Sequence, residues 1–281
     1  MPKATTVTLP QDTDTPPRKE ETPVATLLLT SRRSHEGSKS NLPNEDYLAF
    51  RYDEECLVVV LCDGVGQSFF GDLAARFLGD KLLEWLWALK PDDIPDNDKG
   101  GAKLAEKLFN DLHAWTTPAT ELVKDHPLPK DRATSLRRIA LERKRDDGSA
   151  SVFACARLDF SAEKTSCLGF WLGNTRLRFW GARDKALSLA SDNTVHHEQW
   201  STAKGPLNSD VVHHIVLPSL AKRKVQRLTL HTDGVHQFED ELSGLTLARL
   251  KEILRELKED VASDDVSLLD VVLKKTSEGN A

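Results

Sequence analysis

Three apolar runs of this chain meet carboxylates at their ends. "LVVVLCDG" closes on Asp63 and Gly64, "LTLHTDG" closes on Asp233 and Gly234, and "DDVSLLDVV" opens on Asp264 and Asp265. A fourth acidic pair, Glu45 and Asp46, opens "NEDYLAF". Runs of this length and β-branched content read as strands, and carboxylates at the ends of neighbouring strands converge on one sheet edge. Unpaired there, they repel one another and lose solvation, so a cation is their natural partner. Ligation by oxygen alone suits hard divalent ions such as Mg2+ or Mn2+, and the bare backbone at Gly64 lets a carbonyl come close to the same ion. A single D-G after a strand is ordinarily a turn. Turns alone give no reason for four acidic clusters at strand ends.

Such residues need a scaffold of sheets, and the rest of the chain supplies its pieces. "ATLLLTS", "DYLAFRY" and "CLVVVLC" read as three successive strands. A helix follows, with Phe70, Leu73, Ala74, Phe77, Leu82, Trp85, Leu86 and Leu89 on one side and Ser68 as its N-cap. Leu104, Leu108, Leu112 and Trp115 mark a second. The stretch from Pro118 to Arg145 is polar and holds one short basic helix, "SLRRIALERKR", read as a solvated face. The strands "SASVFACARLDF", "SCLGFWLG" and "TRLRFWGA" come next, then a less regular region over 191–224, then "RLTLHTDG". Leu247, Leu250, Ile253, Leu254 and Leu257 stripe a last helix before "DDVSLLDVVL". Strands paired early and late in the chain, with helices between them, predict one α+β domain with helices layered outside sheets.

Composition narrows the function classes. The chain has 281 residues, is 39% apolar and carries a net charge of -6, so it can bury a large core and lacks the basic excess of a nucleic-acid or membrane-surface binder. Its four cysteines, Cys56, Cys62, Cys155 and Cys167, show no metal-ligand spacing and read as free thiols in a reducing compartment. No apolar run reaches the length of a membrane span, and the opening residues lack the apolar stretch of a signal peptide. A cytoplasmic protein is expected. Residues 1–23, rich in Thr, Pro and charge, are expected to form a flexible tail, with the folded domain over 24–281.

Taken in order, N-E-D (44–46), D-G-V-G (63–66), G-S-A-S (148–151), G-N-T-R (173–176), T-D-G (232–234) and D-D-V-S (264–267) resemble the PPM family, the metal-dependent protein phosphatases of type 2C. The resemblance runs from about Ala25 to Val272. It implies a four-layer α-β-β-α sandwich with a two-metal centre at one end, which hydrolyses phosphoserine and phosphothreonine in phosphoproteins. On this resemblance Asp63 bridges two Mn2+ or Mg2+ ions, the Gly64 carbonyl binds one of them, and Asp233 and Asp264 bind the other. Glu45 and Asp46 serve the first site directly or through water, and Asp264 is preferred to Asp265. A hydroxide bridging the ions would be the nucleophile. No cysteine is followed six positions later by arginine, as a cysteine-dependent phosphatase requires, and no phosphate-binding G-x-x-x-x-G-K-[ST] loop occurs.

The sequence departs from the family pattern twice. Where the family commonly places a phosphate-binding arginine, four residues before the metal-site glutamate, this chain has Asn41. The substrate phosphate then falls to Asn41 and Lys39, with Arg32 or Arg33 as substitutes if the loop folds back. Asn174 stands where the family usually has an aspartate, so a third ion should bind weakly if at all. These departures keep a second class open, a pseudophosphatase that binds phosphoproteins as a regulatory module. The pairs His196–His197 and His213–His214 read as surface or loop residues, while His236, three residues after Asp233, could approach the metal edge.

Overall fold

The apolar runs become the central strands of two antiparallel sheets in a computed structural model that describes residues 3–128, 135–161, 164–189, 197–260 and 263–274. The first half of the chain forms β1 (Thr5–Thr8), β2 (Thr15–Glu21), β3 (Ala25–Arg32), the short α1 (His35–Lys39), β4 (Tyr47–Tyr52) and β5 (Cys56–Gly64). Four helices follow: α2 (Gly71–Ala88), α3 (Asp98–Ala114), α4 (Thr116–Asp125) and α5 (Ser135–Asp147). The second half adds β6 (Ala150–Phe160), β7 (Thr165–Leu172), β8 (Arg176–Trp180), β9 (Ala186–Leu187), β10 (Gln199–Ser201), β11 (Gly205–Leu207), β12 (His213–Leu217) and β13 (Arg227–His231). A 3-10 segment (Asp233–Leu242), α6 (Leu247–Glu259) and β14 (Val266–Leu273) complete it.

One sheet runs β1-β4-β5-β6, with β10-β11 beside the start of β6 and β7-β12 beside the rest; the other runs β2-β3-β14-β13-β8-β9. The period-two pattern of β5 explains the layering. Leu57, Val59 and Leu61 face the other sheet and pack with Leu27, Leu29, Leu228, Leu230 and Leu269. Val58, Val60 and Cys62 face outward onto Leu78, Leu82 and Leu86 of α2. On the far side Leu28, Leu268 and Trp180 are covered by Leu250, Ile253, Leu254 and Leu257 of α6. The result is the expected α-β-β-α sandwich. All four cysteines are buried free thiols, and no helix among the described residues is long and apolar enough to cross a membrane.

Four local expectations are corrected. The expected flexible tail over residues 1–23 contains β1, paired with β4, and β2, paired with β3, with Leu9, Gln11 and Thr15 buried. An edge strand needs only backbone partners, so apolar composition undercounts what can order it. Pro16 and Pro17 coincide with a register shift in that edge, as residues without an N–H should. Ser68 is not the N-cap of α2. Its hydroxyl accepts the Ala150 N–H, and the helix starts after Phe70, held at φ 47°, because Val65 and Phe69 are tied to Ala150 and Gly148. α4 lies in the stretch assigned only one helix; Pro118 sits in its first turn, where a missing N–H is harmless. The region read as irregular contributes β10, β11 and β12, while 191–196, including His196, lie outside the described residues.

Candidate functional site

The acidic edge is assembled where the two sheets meet. Asp63 and Gly64 end β5, Glu45 and Asp46 precede β4, Asp233 follows β13, and Asp264 and Asp265 precede β14. Gly64 has a packing reason for its bare backbone. A Cβ there would lie 2.5 Å from the Gly71 carbonyl carbon and 2.7 Å from the Glu45 carbonyl oxygen, and the Gly64 N–H donates to that Glu45 oxygen at 3.1 Å. Gly234 is tighter still, 2.0 Å from the Asp265 carbonyl oxygen to a built Cβ, which lets the turn after β13 lie against the start of β14.

Side-chain hydrogen bonds then stitch the sheets together. Thr232 donates its hydroxyl to Asp46 Oδ2 at 3.1 Å and accepts the Ser267 N–H at 3.1 Å. Asp265 accepts the backbone N–H groups of Ser34 on one oxygen and Glu45 on the other, so its carboxylate pins the loop after β3 and the entry to β4. Asp264 is exposed and, among the described residues, accepts only the Asp265 N–H, at 2.8 Å. Asp233 accepts the Asn174 amide at 2.8 Å. Asp46 is 1% exposed, and its Oδ1 has no hydrogen-bond partner among the described residues.

This crowding raises the carboxylates together. Burial, followed by Asp233, Asp264, Asp265 and Glu45, pushes Asp63 well above the usual carboxylate range. Burial, then Asp63 and Asp265, does the same to Asp46. Glu45 is pushed up to about 7 by burial and by Asp265, Asp72 and Asp264, against one opposing N–H from Gly71. Asp233, whose outer side meets solvent, is raised by desolvation of its packed side and by Asp264. Asp265 is raised by burial in spite of its two N–H donors. Asp72, in the first turn of α2, is raised by burial against the pull of Arg76; sequence reasoning missed it, because an acid in a helix's first turn is unremarkable. As the side chains stand, no three His, Cys, Asp or Glu residues among the described ones close around a common point as an ion's ligands would. An orphaned buried oxygen on Asp46, a hard oxygen donor set and mutually raised carboxylates nevertheless fit a divalent cation.

The cationic rim is sorted by its partners. Arg32 is buried and donates to the carbonyls of Leu254 and Leu257 near the end of α6 and to Ser263 Oγ, at 3.0, 3.1 and 3.2 Å, so it serves that helix end. Arg33 meets Asp14 at 3.0 Å. Lys39 and Asn41 are exposed, and Asn41 holds φ at 51°. His236, 62% exposed, lies 3.5 Å from Glu239, whose carboxylate His231 and Arg178 hold down to about 2. His213 and His214 face Glu198 and Asp98 on β12, away from the acidic edge.

Residues 33–270 match a family model described as Protein phosphatase 2C. No curated protein matches the sequence. Among solved structures, the serine/threonine phosphatase Stp1 from Staphylococcus aureus superimposes with a TM-score of 0.58 at 15% identity, over 88% of this chain and 94% of that one. A serine-threonine phosphatase 2C from Toxoplasma gondii gives 0.53 at 12% identity, over 98% of this chain and 100% of its own. RsbX in complex with magnesium gives 0.52 at 12% identity, over 92% and 100%. At these identities the likeness is one of fold.

Proposed function

The chain belongs to the protein phosphatase 2C family, and on that premise we propose that it hydrolyses phosphoserine and phosphothreonine in proteins phosphorylated by a serine/threonine kinase, using two Mn2+ or Mg2+ ions at the acidic edge. The observation that carries this reading is Asp63. The groups that act on it most are other carboxylates, an arrangement that costs stability unless positive charge enters. Bound there, divalent ions would supply positive charge for the phosphoryl oxygens and activate water at neutral pH.

The chain's own residues then divide the work. At the end of β5, Asp63 would reach both ion positions and the Gly64 carbonyl one of them. Glu45 and Asp46 would hold the first from the start of β4, and the free Asp46 Oδ1 is available for it or for a water on it. Asp233 and Asp264 would hold the second. Asp264 is preferred over Asp265 because both Asp265 oxygens already accept backbone N–H groups. The Asn174 amide is engaged with Asp233, which favours two ions over three. Lys39 and Asn41 flank the substrate phosphate on the loop leading to Glu45, and four buried thiols suit a cytoplasmic setting.

Phosphate release from a phosphothreonine peptide tests this. It should appear with Mn2+ or Mg2+, vanish with EDTA and return on re-addition of metal. Release that persists after thorough chelation would overturn the metal-dependent mechanism. Tight phosphopeptide binding without release would favour the pseudophosphatase reading, to which the lack of arginine at position 41 lends weight.

A further inference from the structure

Asn41 leaves the rim short of a fixed positive charge, and the fold brings one from elsewhere in the chain. Arg33 follows β3 directly, and its neighbour Ser34 donates a backbone N–H to Asp265. A Cβ built on Gly37 would lie 3.9 Å from both Arg33 Cβ and Asp265 Oδ1, so the Arg33 side chain starts beside the acidic edge. From there Nη1 reaches the carbonyl of Leu42, next to Asn41, at 3.5 Å. The other nearby arginines are committed: Arg32 to α6, and Arg76 to Gln11 Oε1 at 2.8 Å.

Arg33 is held by a carboxylate from the strap between β1 and β2. Asp14 Oδ1 accepts its Nε–H at 3.0 Å and its backbone N–H at 3.2 Å. The strap is anchored at Gln11, 3% exposed, whose amide donates to the carbonyls of Asn44 and Asp46 at 3.1 Å each. The contact is lopsided in two ways. The Asp14 side chain is 43% exposed and that of Arg33 only 14%, so the carboxylate can swing out while the guanidinium stays in place. Asp14 also takes only the Nε side. Among the described residues the Nη1–Nη2 fork keeps one long contact, to Leu42, and it is this fork that matches a phosphate bidentately.

We propose that Arg33 receives the substrate's phosphoryl group at this rim and that Asp14 is its intramolecular stand-in, which a bound phosphopeptide displaces. The proposal rests on the phosphatase-family reading of the acidic edge. A phosphoryl dianion outcompetes a carboxylate monoanion for one guanidinium through greater charge and a second parallel hydrogen bond. A peptide lacking phosphate has no such advantage, so the strap favours phosphorylated over unphosphorylated segments.

The test pairs direct binding with turnover in the Mn2+-loaded full chain, using fluorescence anisotropy of a labelled phosphothreonine peptide alongside kcat and KM. Arg33→Gln should weaken peptide binding and raise KM by about tenfold or more, as expected for loss of a charge-assisted bond, with Arg33→Lys recovering part of the loss. Asp14→Asn should tighten binding and lower KM by roughly three- to tenfold, since it frees the guanidinium. In the Arg33→Gln background the Asp14 effect should vanish. Variants are compared at matched melting temperature, and Arg33→Lys covers the case in which Arg33→Gln fails to fold. Unchanged or weaker binding by Asp14→Asn, an Asp14 effect that survives Arg33→Gln, or a large loss from Lys39→Ala with none from Arg33→Lys would overturn the proposal. Binding that follows the expected pattern without phosphate release would sink the hydrolase reading alone. Release with a KM blind to both substitutions would sink this proposal alone.

Discussion

Asp63 is where chemistry and stability pull against each other most directly. Its charge is opposed by burial and by four neighbouring carboxylates, yet in the proposed centre it is the ligand shared by two ions. Asp63→Asn should therefore lower phosphate release on the order of 100-fold or more, in line with the loss of a group that tunes a metal site. The same change should raise the melting temperature of the chelated protein, because it deletes one of a set of repelling charges while keeping the side chain's shape. Differential scanning fluorimetry with EDTA checks the second half, and a drop in melting temperature would make Asp63 a structural residue. As two adjacent acids, Asp264 and Asp265 read alike by residue type, and the preference for Asp264 comes from the family resemblance alone. The fold separates them: Asp265 holds two backbone N–H groups and Asp264 stays exposed.

At the scale of elements, the N-terminal strap departs most from its sequence signal. Gln11 donates to Asn44 and Asp46 at 3.1 Å each, and accepts from Arg76 at 2.8 Å, so a polar loop holds the backbone that carries the acidic pair. Gln11→Ala should cost about 1–3 kcal/mol by denaturant unfolding, because it leaves buried carbonyls unpaired. A tail free of the domain would give no change. The strong strands were legible because alternation between two buried faces is local: β5 shows it in nine residues. β1 and β2 carry no such pattern, and α4 begins only two residues before a proline. Their stability comes from partners distant in the chain, which no window of sequence contains.

For the whole molecule, the clustered carboxylates set how stability responds to pH. Glu45, Asp46, Asp63, Asp72, Asp233 and Asp265 all hold their protons more tightly in the folded state. The native protein therefore binds extra protons from the ordinary carboxylate range up to about 7, the value Glu45 reaches, and stability must fall as pH rises through that window. Chelated protein should melt higher near pH 5 than near pH 8, and Mn2+ should recover much of the loss at the higher pH. Asp270, buried beneath the 3-10 segment and raised to about 6, acts in the same direction, but metal should leave its share untouched. A melting temperature that rises with pH in the chelated protein would contradict the convergence of these charges. Sequence by itself determined which runs become central strands, which acids stand at their ends and the motif order that marks the family, because period-two burial and strand-terminal residues are written locally. Only the tertiary structure decided that Thr5–Thr8 and Thr15–Glu21 pair at the sheet edges, that Asp265 is consumed by backbone N–H groups, and that Asp14 lies on Arg33. Each of these depends on hydrogen bonds between segments far apart in the chain, and a polar residue's type does not reveal which distant donor or acceptor it will meet.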